Sequence, residues 1–397
     1  MTSPTTSPAR PTSEPVAVVL AGAGARGAFE AGAIGRLLPA LADQGRTPTL
    51  FCGSSAGSIN SVLLAAVAHL APDVAAKEVT EQWRRAVGGS MIRSVGLAVP
   101  ASAVRYAAGR LHLPLPPVEL LDPVALRAVL GRWDGWDDLH RNIAEGIVDA
   151  VALTATDLTA DRTVVHVETR PDRPLPPDDL DRGIVYRRTR LGLEHVYASS
   201  CIPFLFPAVE LPNEDNVPSW NVDGGVRLNV PLKPAIDLGA ERLVVVATDT
   251  VSRPQAATGN GVPTAIDLAD QLLHLATGDR LLEDLRTLTQ VNQLVKAGAS
   301  ARTDSGRPYK KLPVLVAAPE LPTDIAELVA EIVGAAPGGP LAPLARALTR
   351  VTGLPGTATP DLISFLLFLP AFTRRAVALG EQQADKLLDS PDDGWQE

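Results

Sequence analysis

Near its N-terminus the chain alternates apolar runs with stretches whose apolar residues have helical spacing. Residues 16–20 form an unbroken apolar run, which is typical of a buried strand, and residues 28–41 have apolar positions three and four apart, which indicates a helix. The pattern then repeats, with a strand at residues 47–52 and a helix at residues 56–70. This order of strand, helix, strand and helix predicts an α/β fold around a parallel sheet.

The rest of the chain continues the same alternation and suggests how it is organised. Further apolar runs predict strands at residues 148–154, 163–168, 242–247 and 313–316. Helical patterning covers most of residues 72–147, 265–295 and the chain from Thr323 onward. We expect a disordered tail rich in Ser, Thr and Pro at residues 1–14, a main domain at 15–320 and a helical segment packed on it at 321–397.

Composition excludes several classes of protein. With 397 residues, 46% of them hydrophobic, the chain can bury one large core or two smaller ones. The net charge of −9 and the lack of a basic run argue against a nucleic-acid partner. Two cysteines, Cys52 and Cys201, are too few for a disulfide framework and are expected to be buried, and no Cys/His cluster indicates a metal. The chain lacks a signal-peptide pattern, and its apolar runs are shorter than the roughly 20 residues of a membrane span, so we expect a cytoplasmic protein.

The second predicted strand runs into the sequence FCGSSAGSIN, in which Gly53, Ser55 and Gly57 form a GxSxG motif. A serine on a sharp turn between a strand and a helix presents its hydroxyl as a nucleophile, and flanking glycines remove side chains that would collide there. The same residues also fit an ordinary turn of small side chains. The position of the motif at a predicted strand-to-helix junction favours the nucleophile.

A second glycine motif follows the first predicted strand. Gly22, Gly24 and Gly27 fit the GxGxxG pattern of a dinucleotide-binding loop. Such a site also needs an acidic residue at the end of the next strand, about 20 residues further on, and here Ser55 occupies that place. Parallel neighbouring strands would bring the loop beside Ser55, where its amides could hold the oxyanion of an acyl-transfer intermediate. We interpret the loop as an oxyanion hole and keep dinucleotide binding as the least favoured alternative.

A nucleophilic serine needs a base, and Asp223 is the stronger candidate. In SWNVDGGVRLNVPL it follows a short apolar strand and precedes two glycines, which allow a close approach to another backbone. Asp-Gly is also common in simple tight turns. Ser55, Asp223 and His274 occur in the chain order of an α/β-hydrolase triad, but those enzymes usually have several strands before the serine. The triad is therefore the second choice.

The ordered blocks GAGARG, GSSAG and DGG resemble the patatin-like phospholipases, and four further stretches agree: ALTATDLTADRTVVH, YASSCIPFLFPAVEL, DRLLEDLRTLTQVNQLV and LGEQQADKLL. The resemblance extends over roughly residues 16–388. It implies a three-layer α/β/α fold with a mainly parallel central sheet, a serine nucleophile elbow and extra C-terminal helices. It also implies a serine lipid acyl hydrolase of the phospholipase A or lysophospholipase type, with a Ser-Asp dyad and no cofactor.

The resemblance assigns roles to individual residues. Ser55 would be the nucleophile and Asp223 the base that takes its proton. The amides of Gly22, Ala23 and Gly24 would hold the oxyanion, and Arg26 would steady the loop or add positive potential. Gly53, Gly57, Gly224 and Gly225 would support the elbow and the dyad. Pro203 and Pro207 would shape the wall of the acyl site.

Three points stay open on the sequence. Family members usually have three consecutive glycines where this chain has Ala23, whose Cβ costs roughly 1 kcal/mol or more if the position needs a positive φ. The implied substrate is a lipid or phospholipid ester, and the apolar segments 95–115 and 362–378, which carry basic residues, are either peripheral membrane contacts or core helices. An acyltransferase would share Ser55 and the oxyanion hole, so the acceptor is either water or a second lipid.

Overall fold

The computed structural model of the chain describes residues 14–86, 127–128, 130–203, 206–212, 217–251, 280–302, 308–321, 324–335, 364–365 and 367–396. Apart from Glu14, the expected disordered tail lies outside these ranges, and so do His274 and the apolar segment 95–115.

Ten strands form one sheet. They are β1 (Val16–Leu20), β2 (Pro48–Ser54), β3 (Ala150–Asp157), β4 (Arg162–Thr169), β5 (Ile184–Arg188), β6 (Val209–Pro212), β7 (Pro218–Asp223), β8 (Arg242–Val246), β9 (Val314–Ala317) and β10 (Trp395–Gln396). The order across the sheet is β10-β9-β8-β1-β2-β3-β4-β5, and β7 pairs with β3 and β6. The five strands from β9 to β3 are parallel. β3 and β4 are antiparallel because only a short turn joins them.

The central strands are apolar on both faces. In β1, Val16, Val18 and Leu20 belong to one hydrophobic cluster, whereas Ala17 and Val19 belong to another on the opposite face. Helices cover both clusters, so the molecule has three layers, and a strand buried on both sides needs a continuous apolar run. The apolar run at residues 16–20 therefore predicted β1 correctly. The parallel order of the central strands confirms the predicted α/β fold with a mainly parallel sheet.

Nine α-helices lie in the described ranges. They are α1 (Gly27–Asp43), α2 (Ala56–Val67), α3 (Pro72–Ala86), α4 (Trp136–Ala144), α5 (Leu193–Ser200), α6 (Leu232–Asp237), α7 (Arg280–Lys296), α8 (Asp324–Ala335) and α9 (Pro370–Leu388). Buried side chains of α6 and α7 belong to the cluster that contains Ala17, and the other helices with buried side chains contribute to the cluster that contains Val16. No helix in the described part of the chain is long and apolar enough to cross a bilayer.

The C-terminal helix α9 packs very closely on α1. A Cβ at Gly32 of α1 would overlap the carbonyl of Val377, and a Cβ at Gly380 of α9 would overlap the carbonyl of Phe29. Glycine at both positions therefore allows the two backbones to touch. Phe372 and Val377 are fully buried in the core, so the described part of the apolar segment 362–378 includes a core helix rather than a free lipid-binding face.

Sequence patterns located the buried strands better than the edge strands. The predicted bounds of β1 are confirmed, and the other five predicted strands overlap β2, β3, β4, β8 and β9. β5, β6 and β10 were missed, because β5 ends in two arginines and the other two are only four and two residues long. Cys52 and Cys201 are buried and unpaired, as expected.

Candidate active site

Ser55 lies on the turn that joins β2 to α2. Its backbone is strained, with φ 52° and ψ −123°, a conformation that is costly for a residue with a Cβ and is often found at functional sites. The turn is tight enough to require glycine on both sides. A Cβ at Gly53 would overlap the carbonyl of Gly57, and a Cβ at Gly57 would overlap the carbonyl of Leu20.

The main chain of Ser55 is held by a ring of hydroxyl groups. Its N–H donates to Oγ of Ser199 at 3.0 Å, and its carbonyl accepts from the hydroxyls of Ser58 at 2.5 Å and Ser200 at 3.1 Å. Ser199 and Ser200 lie in the YASSCIPFLFPAVEL block, but no local pattern there indicates this role. They lie at the C-terminal end of α5, so this helix holds the strained turn through their hydroxyls.

Asp223 is brought towards Ser55 because β2 and β7 both pair with β3. Thr154 of β3 pairs with Ser54 of β2, and the next residue, Ala155, pairs with Asp223 at the end of β7. Ser54, which precedes Ser55, and Asp223 are far apart in sequence, but they pair with consecutive residues of the same strand. Gly224 allows this approach, since a Cβ there would overlap the main chain of Thr154.

The carboxyl group of Asp223 is buried, with only 4% of the residue exposed. Its Oδ1 accepts a hydrogen bond from the N–H of Gly225 at 2.7 Å, whereas Oδ2 makes no hydrogen bond of normal length within the described ranges. Burial raises the pKa of Asp223 to about 7, and the Ser55 hydroxyl and the Gly225 amide lower it only in part. The Ser55 hydroxyl is thus close enough to Asp223 to lower its pKa in part, although no Ser55–Asp223 hydrogen bond of ordinary geometry forms, as is often seen in active sites without substrate.

The glycine loop beside Ser55 offers two free amides. The N–H of Gly22 donates to the carbonyl of Asn229 at 3.0 Å, and the N–H of Ala25 donates to the carbonyl of Phe365 at 3.0 Å. Among the described residues, the N–H groups of Ala23 and Gly24 have no backbone acceptor. The expectation that Gly22 donates to an oxyanion is therefore not met in this conformation, because its N–H is already engaged.

Ala23 does not have the positive φ that would favour glycine. Its φ is −151°. The positive φ of the loop, 55°, falls at Gly24, where a Cβ would also lie 2.5 Å from the carbonyl oxygen of Phe365. The departure from three consecutive glycines thus occurs at a position that does not require glycine.

Arg26 is buried and ties the glycine loop to distant parts of the chain. Its Nε donates to Oγ of Ser364 at 2.5 Å, and its Nη1 pairs with Asp249 at 3.0 Å. The guanidinium also lies 4.0 Å from the ring centroid of Phe365. Sequence reasoning gave no signal for these partners, because 338 residues separate Arg26 from Ser364.

Ser55 opens onto a small apolar pocket. The pocket is partly open to solvent, and its apolar walls include Ile59, Ile202, Phe206, Phe365 and Phe368. Pro203 and Pro207, which the resemblance placed in this wall, are not among the lining residues. Their neighbours Ile202 and Phe206 line the pocket instead.

The histidines of the described ranges make their contacts away from the proposed dyad. In the described part of the chain, no histidine hydrogen-bonds to Ser55 or Asp223; His166 and His195 stack with ring centroids 5.1 Å apart, and His140 contacts Glu168. Burial lowers the pKa of His166 to about 3, so it is neutral at physiological pH. Within the same ranges no group of three His, Cys, Asp or Glu side chains could hold a metal ion.

A serine on a strained strand-to-helix turn of a mainly parallel sheet is the arrangement of α/β serine esterases. The chain belongs to the patatin-like phospholipase family, whose model matches residues 18–236. Among solved structures it is similar to VipD from Legionella pneumophila, with 13% identity, a TM-score of 0.32 and coverage of 93% of this chain and 67% of VipD. No curated protein sequence matches the chain. Family membership implies that the protein is a lipid-hydrolysing enzyme.

Proposed function

We propose that the protein is a serine lipid acyl hydrolase of the phospholipase A or lysophospholipase type, in which Ser55 and Asp223 form a catalytic dyad. The observation that carries this proposal is the pairing of β2 and β7 with consecutive residues of β3, which brings the buried, unpartnered Oδ2 of Asp223 towards Ser55. A base with a pKa of about 7 is half deprotonated at neutral pH and is well matched to general-base catalysis.

In the proposed acylation step, Oγ of Ser55 attacks the ester carbonyl carbon while Asp223 accepts the hydroxyl proton. The N–H groups of Ala23 and Gly24 hold the oxyanion that forms, and a donor of this kind lowers a barrier by about 2.7 to 4 kcal/mol. The carbonyl re-forms as the bond to the alcohol breaks, and Asp223 returns the proton to the leaving alkoxide. The products of this step are a free alcohol and an acyl-Ser55 ester.

Deacylation repeats the same chemistry with water. Asp223 takes a proton from a water molecule as its oxygen attacks the acyl-Ser55 carbonyl, and the same amides hold the second oxyanion. Collapse releases the carboxylic acid, and Asp223 returns its proton to Oγ of Ser55. The enzyme is thereby restored without a cofactor. If a lysolipid hydroxyl replaces water, the enzyme is an acyltransferase, and product analysis with and without such an acceptor distinguishes the two.

A histidine-dependent triad and a dinucleotide site both have less support than the dyad. The Ser-His-Asp triad would use His274, which lies outside the described residues. Dinucleotide binding would need the glycine-loop amides, but the Gly22 amide is engaged with Asn229, and the family is one of lipid-hydrolysing enzymes.

Labelling with a fluorophosphonate probe tests the dyad without knowledge of the substrate. We expect rapid labelling of Ser55 in the native protein, none in Ser55→Ala, and slow labelling in Asp223→Asn. Ser54→Ala is the matched control, because Ser54 is equally buried and its hydroxyl has no partner in the described part of the chain. Labelling that persists in Ser55→Ala, or that is lost in Ser54→Ala with the fold intact, would overturn the assignment.

Lipid substrates also require contact with a lipid surface, and we propose an exposed apolar cluster near the dyad for it. Leu158, Val217 and Trp220 are each about half exposed, and the N–H of Leu158 donates to the carbonyl of Trp220 at 2.8 Å. Trp220 precedes Asp223 by three residues, and tryptophan favours the lipid–water interface. Weaker vesicle sedimentation of Trp220→Ala, with unchanged hydrolysis of a water-soluble ester, would support this contact.

A further inference from the structure

The C-terminal end of α5 contacts both members of the proposed dyad. Ser199 and Ser200 are the last two residues of this helix, and their hydroxyls hydrogen-bond to the N–H and the carbonyl of Ser55 at 3.0 Å and 3.1 Å. The carbonyl of the next residue, Cys201, accepts the N–H of Asp223 at 3.0 Å. Three consecutive residues therefore hydrogen-bond to the main chains of two residues that lie far apart in sequence.

We refer to residues 199–201 as the α5 brace. Ser199 and Cys201 are fully buried, and Ser200 is 7% exposed. The thiol of Cys201 lies within hydrogen-bond distance of the carbonyls of Ala198, at 3.1 Å, and Asn221, at 3.6 Å. The brace is thus attached both to its own helix and to β7, the strand that ends in Asp223. Because the site is buried, a backbone group that loses its partner there cannot readily turn to water instead.

Strand pairing alone does not set the separation of Ser55 from Asp223. The pairing of β2 with β3 ends at Ser54, so Ser55 lies just beyond the hydrogen-bonded ladder. Its positive φ of 52° is a conformation that persists only where the surrounding contacts hold it. If these contacts are lost, the turn should relax and its hydroxyl should move. A displacement of about 1 Å from the reactive geometry can lower a rate by about 10²-fold.

The two serines of the brace differ in how easily they can be replaced. The carbonyl of Ser55 accepts a second hydrogen bond, at 2.5 Å, from the hydroxyl of Ser58 in α2, so it keeps a partner when Ser200 is changed. The N–H of Ser55 donates to Oγ of Ser199, and no second acceptor for it lies among the described hydrogen bonds. Ser199 should therefore matter more than Ser200.

We propose that Ser199 and Ser200 are positioning residues for ester hydrolysis, which hold Ser55 in its strained conformation at the reactive separation from Asp223. This proposal rests on the proposed function, because it takes Ser55 as the nucleophile and Asp223 as the base. The two hydroxyls act on the main chain of Ser55 and take no part in proton transfer. Cys201 contributes through its main-chain carbonyl.

The test is steady-state hydrolysis of p-nitrophenyl butyrate, together with the rate of fluorophosphonate labelling. We expect Ser199→Ala to lower kcat by about 10 to 10²-fold and to slow labelling by a similar factor, with KM within about twofold of the native value. Ser200→Ala should lower kcat by about three- to tenfold, the size of one ordinary hydrogen bond. Ser200→Thr keeps the hydroxyl and should recover most of that loss. Because Ser200 also lines the pocket, a change in KM alone would indicate substrate contact and contradict the positioning role.

The pH profile provides a readout that a general loss of stability would not change. The Ser55 hydroxyl lowers the pKa of Asp223 in part. When Ser55 moves away, this effect is lost and the pKa of Asp223 rises further. The pH at which kcat/KM reaches half its maximum should therefore move upward in Ser199→Ala, by several tenths of a pH unit.

Thr169→Val is the matched control. The buried hydroxyl of Thr169 donates to the carbonyl of Asp149 at 2.7 Å, and Thr169 pairs with Ala150, at the opposite end of β3 from Ala155, the partner of Asp223. This variant should lose stability with kcat and the pH profile unchanged.

Three results would contradict the positioning proposal: a native kcat in folded Ser199→Ala, a Ser200→Thr variant as slow as Ser200→Ala, or an equal loss of kcat in Thr169→Val. If Ser199→Ala does not fold, the comparison of Ser200→Ala with Ser200→Thr decides in the same way. A native protein that neither hydrolyses esters nor labels at Ser55 would instead contradict the proposed function.

Discussion

Two buried carboxyl groups, Asp223 and Glu30, differ in their neighbours more than in their burial. Burial raises the pKa of both, to about 7 for Asp223 and well above the usual value for Glu30. Oε2 of Glu30 accepts a hydrogen bond from Asn60 at 2.8 Å, and Asn60 is itself held by Trp83 at 2.6 Å. Within the described ranges each carboxyl group has one oxygen without a hydrogen-bond partner, Oε1 of Glu30 and Oδ2 of Asp223, but only the pKa of Asp223 is lowered in part by a serine hydroxyl, that of Ser55.

The comparison shows that a raised pKa alone does not identify a catalytic group. The Glu30 cluster joins α1, α2 and α3 and has no nucleophile or free amide pair of its own in the described contacts. Asp223 has both a strained serine and two free amides nearby. We therefore expect the two carboxyl groups to respond differently to the same chemical change, namely replacement of the acid by its amide.

The largest expected effect is on turnover. Asp223→Asn removes the proposed base and should lower kcat for ester hydrolysis by about 10² to 10⁴-fold. Glu30→Gln preserves the shape of a protonated acid and should keep kcat within about threefold of the native value at pH 7, because the loss of one non-catalytic buried contact mainly affects stability. The measurement is steady-state hydrolysis of a short-chain ester. Equal losses in the two variants would remove the distinction between the sites.

The next effect concerns the N–H groups of Ala23 and Gly24, which have no backbone acceptor among the described residues. The described contacts of the Glu30 cluster include no such pair. Gly24→Ala places a Cβ in a positive-φ position against the carbonyl of Phe365, and we expect kcat/KM to fall about 10² to 10³-fold as the loop shifts. Gly45→Ala is the control, since Gly45 has φ 69° and nothing within 4 Å of its added Cβ. It should cost about 1 kcal/mol of stability and no activity. An active Gly24→Ala enzyme would exclude this loop from the oxyanion hole.

The smallest effect is on stability, and it has the same sign at both sites. The folded protein holds the proton of Asp223 more tightly than the unfolded chain does, so this contribution to stability is complete below about pH 4 and is lost as the pH rises through 7. Asp223→Asn should therefore gain stability relative to the native protein between pH 5 and pH 8, reaching at most about 4 kcal/mol. Glu30→Gln should shift in the same direction.

Urea unfolding at pH 5 and at pH 8 measures this gain in the stability of Asp223→Asn relative to the native protein. The exposed Asp172→Asn variant serves as the control and should show no such trend. The same raised pKa predicts that kcat/KM of the native enzyme rises with pH to half its maximum near pH 7. A pH-independent difference between Asp223→Asn and the native protein would show that the folded pKa of Asp223 is close to that of a free carboxyl group.

The sequence located Ser55 and its strand because the signals there are local. An apolar run ending in GxSxG defines β2 and the turn without reference to the rest of the chain. Asp223 was predicted as the base from the DGG sequence after an apolar strand and from the family resemblance, but its position beside Ser55 could not be derived, since the β3 pairing that joins them is a long-range contact. The hairpin that makes β4 antiparallel was likewise missed, because apolar runs do not encode strand direction.

The glycine loop shows the limit of motif reasoning most clearly. The motif suggested that Gly22 would donate to the oxyanion, but Asn229 already accepts its N–H. The motif also raised doubt about Ala23, whereas the positive φ falls one residue later. Both differences depend on contacts with Asn229 and Phe365, which lie hundreds of residues further along the chain and leave no mark near the motif.

The pairing of β2 and β7 with β3 has a consequence for the nascent chain. Ser55 leaves the ribosome early, but about 310 residues must follow before Phe365 can close the site, which takes on the order of 15 to 60 s at typical rates of synthesis. Until β3 and β7 have emerged and docked, the serine has no carboxylate beside it. If Ser55 and Asp223 act as the proposed dyad, translation order alone keeps the growing polypeptide inactive towards esters.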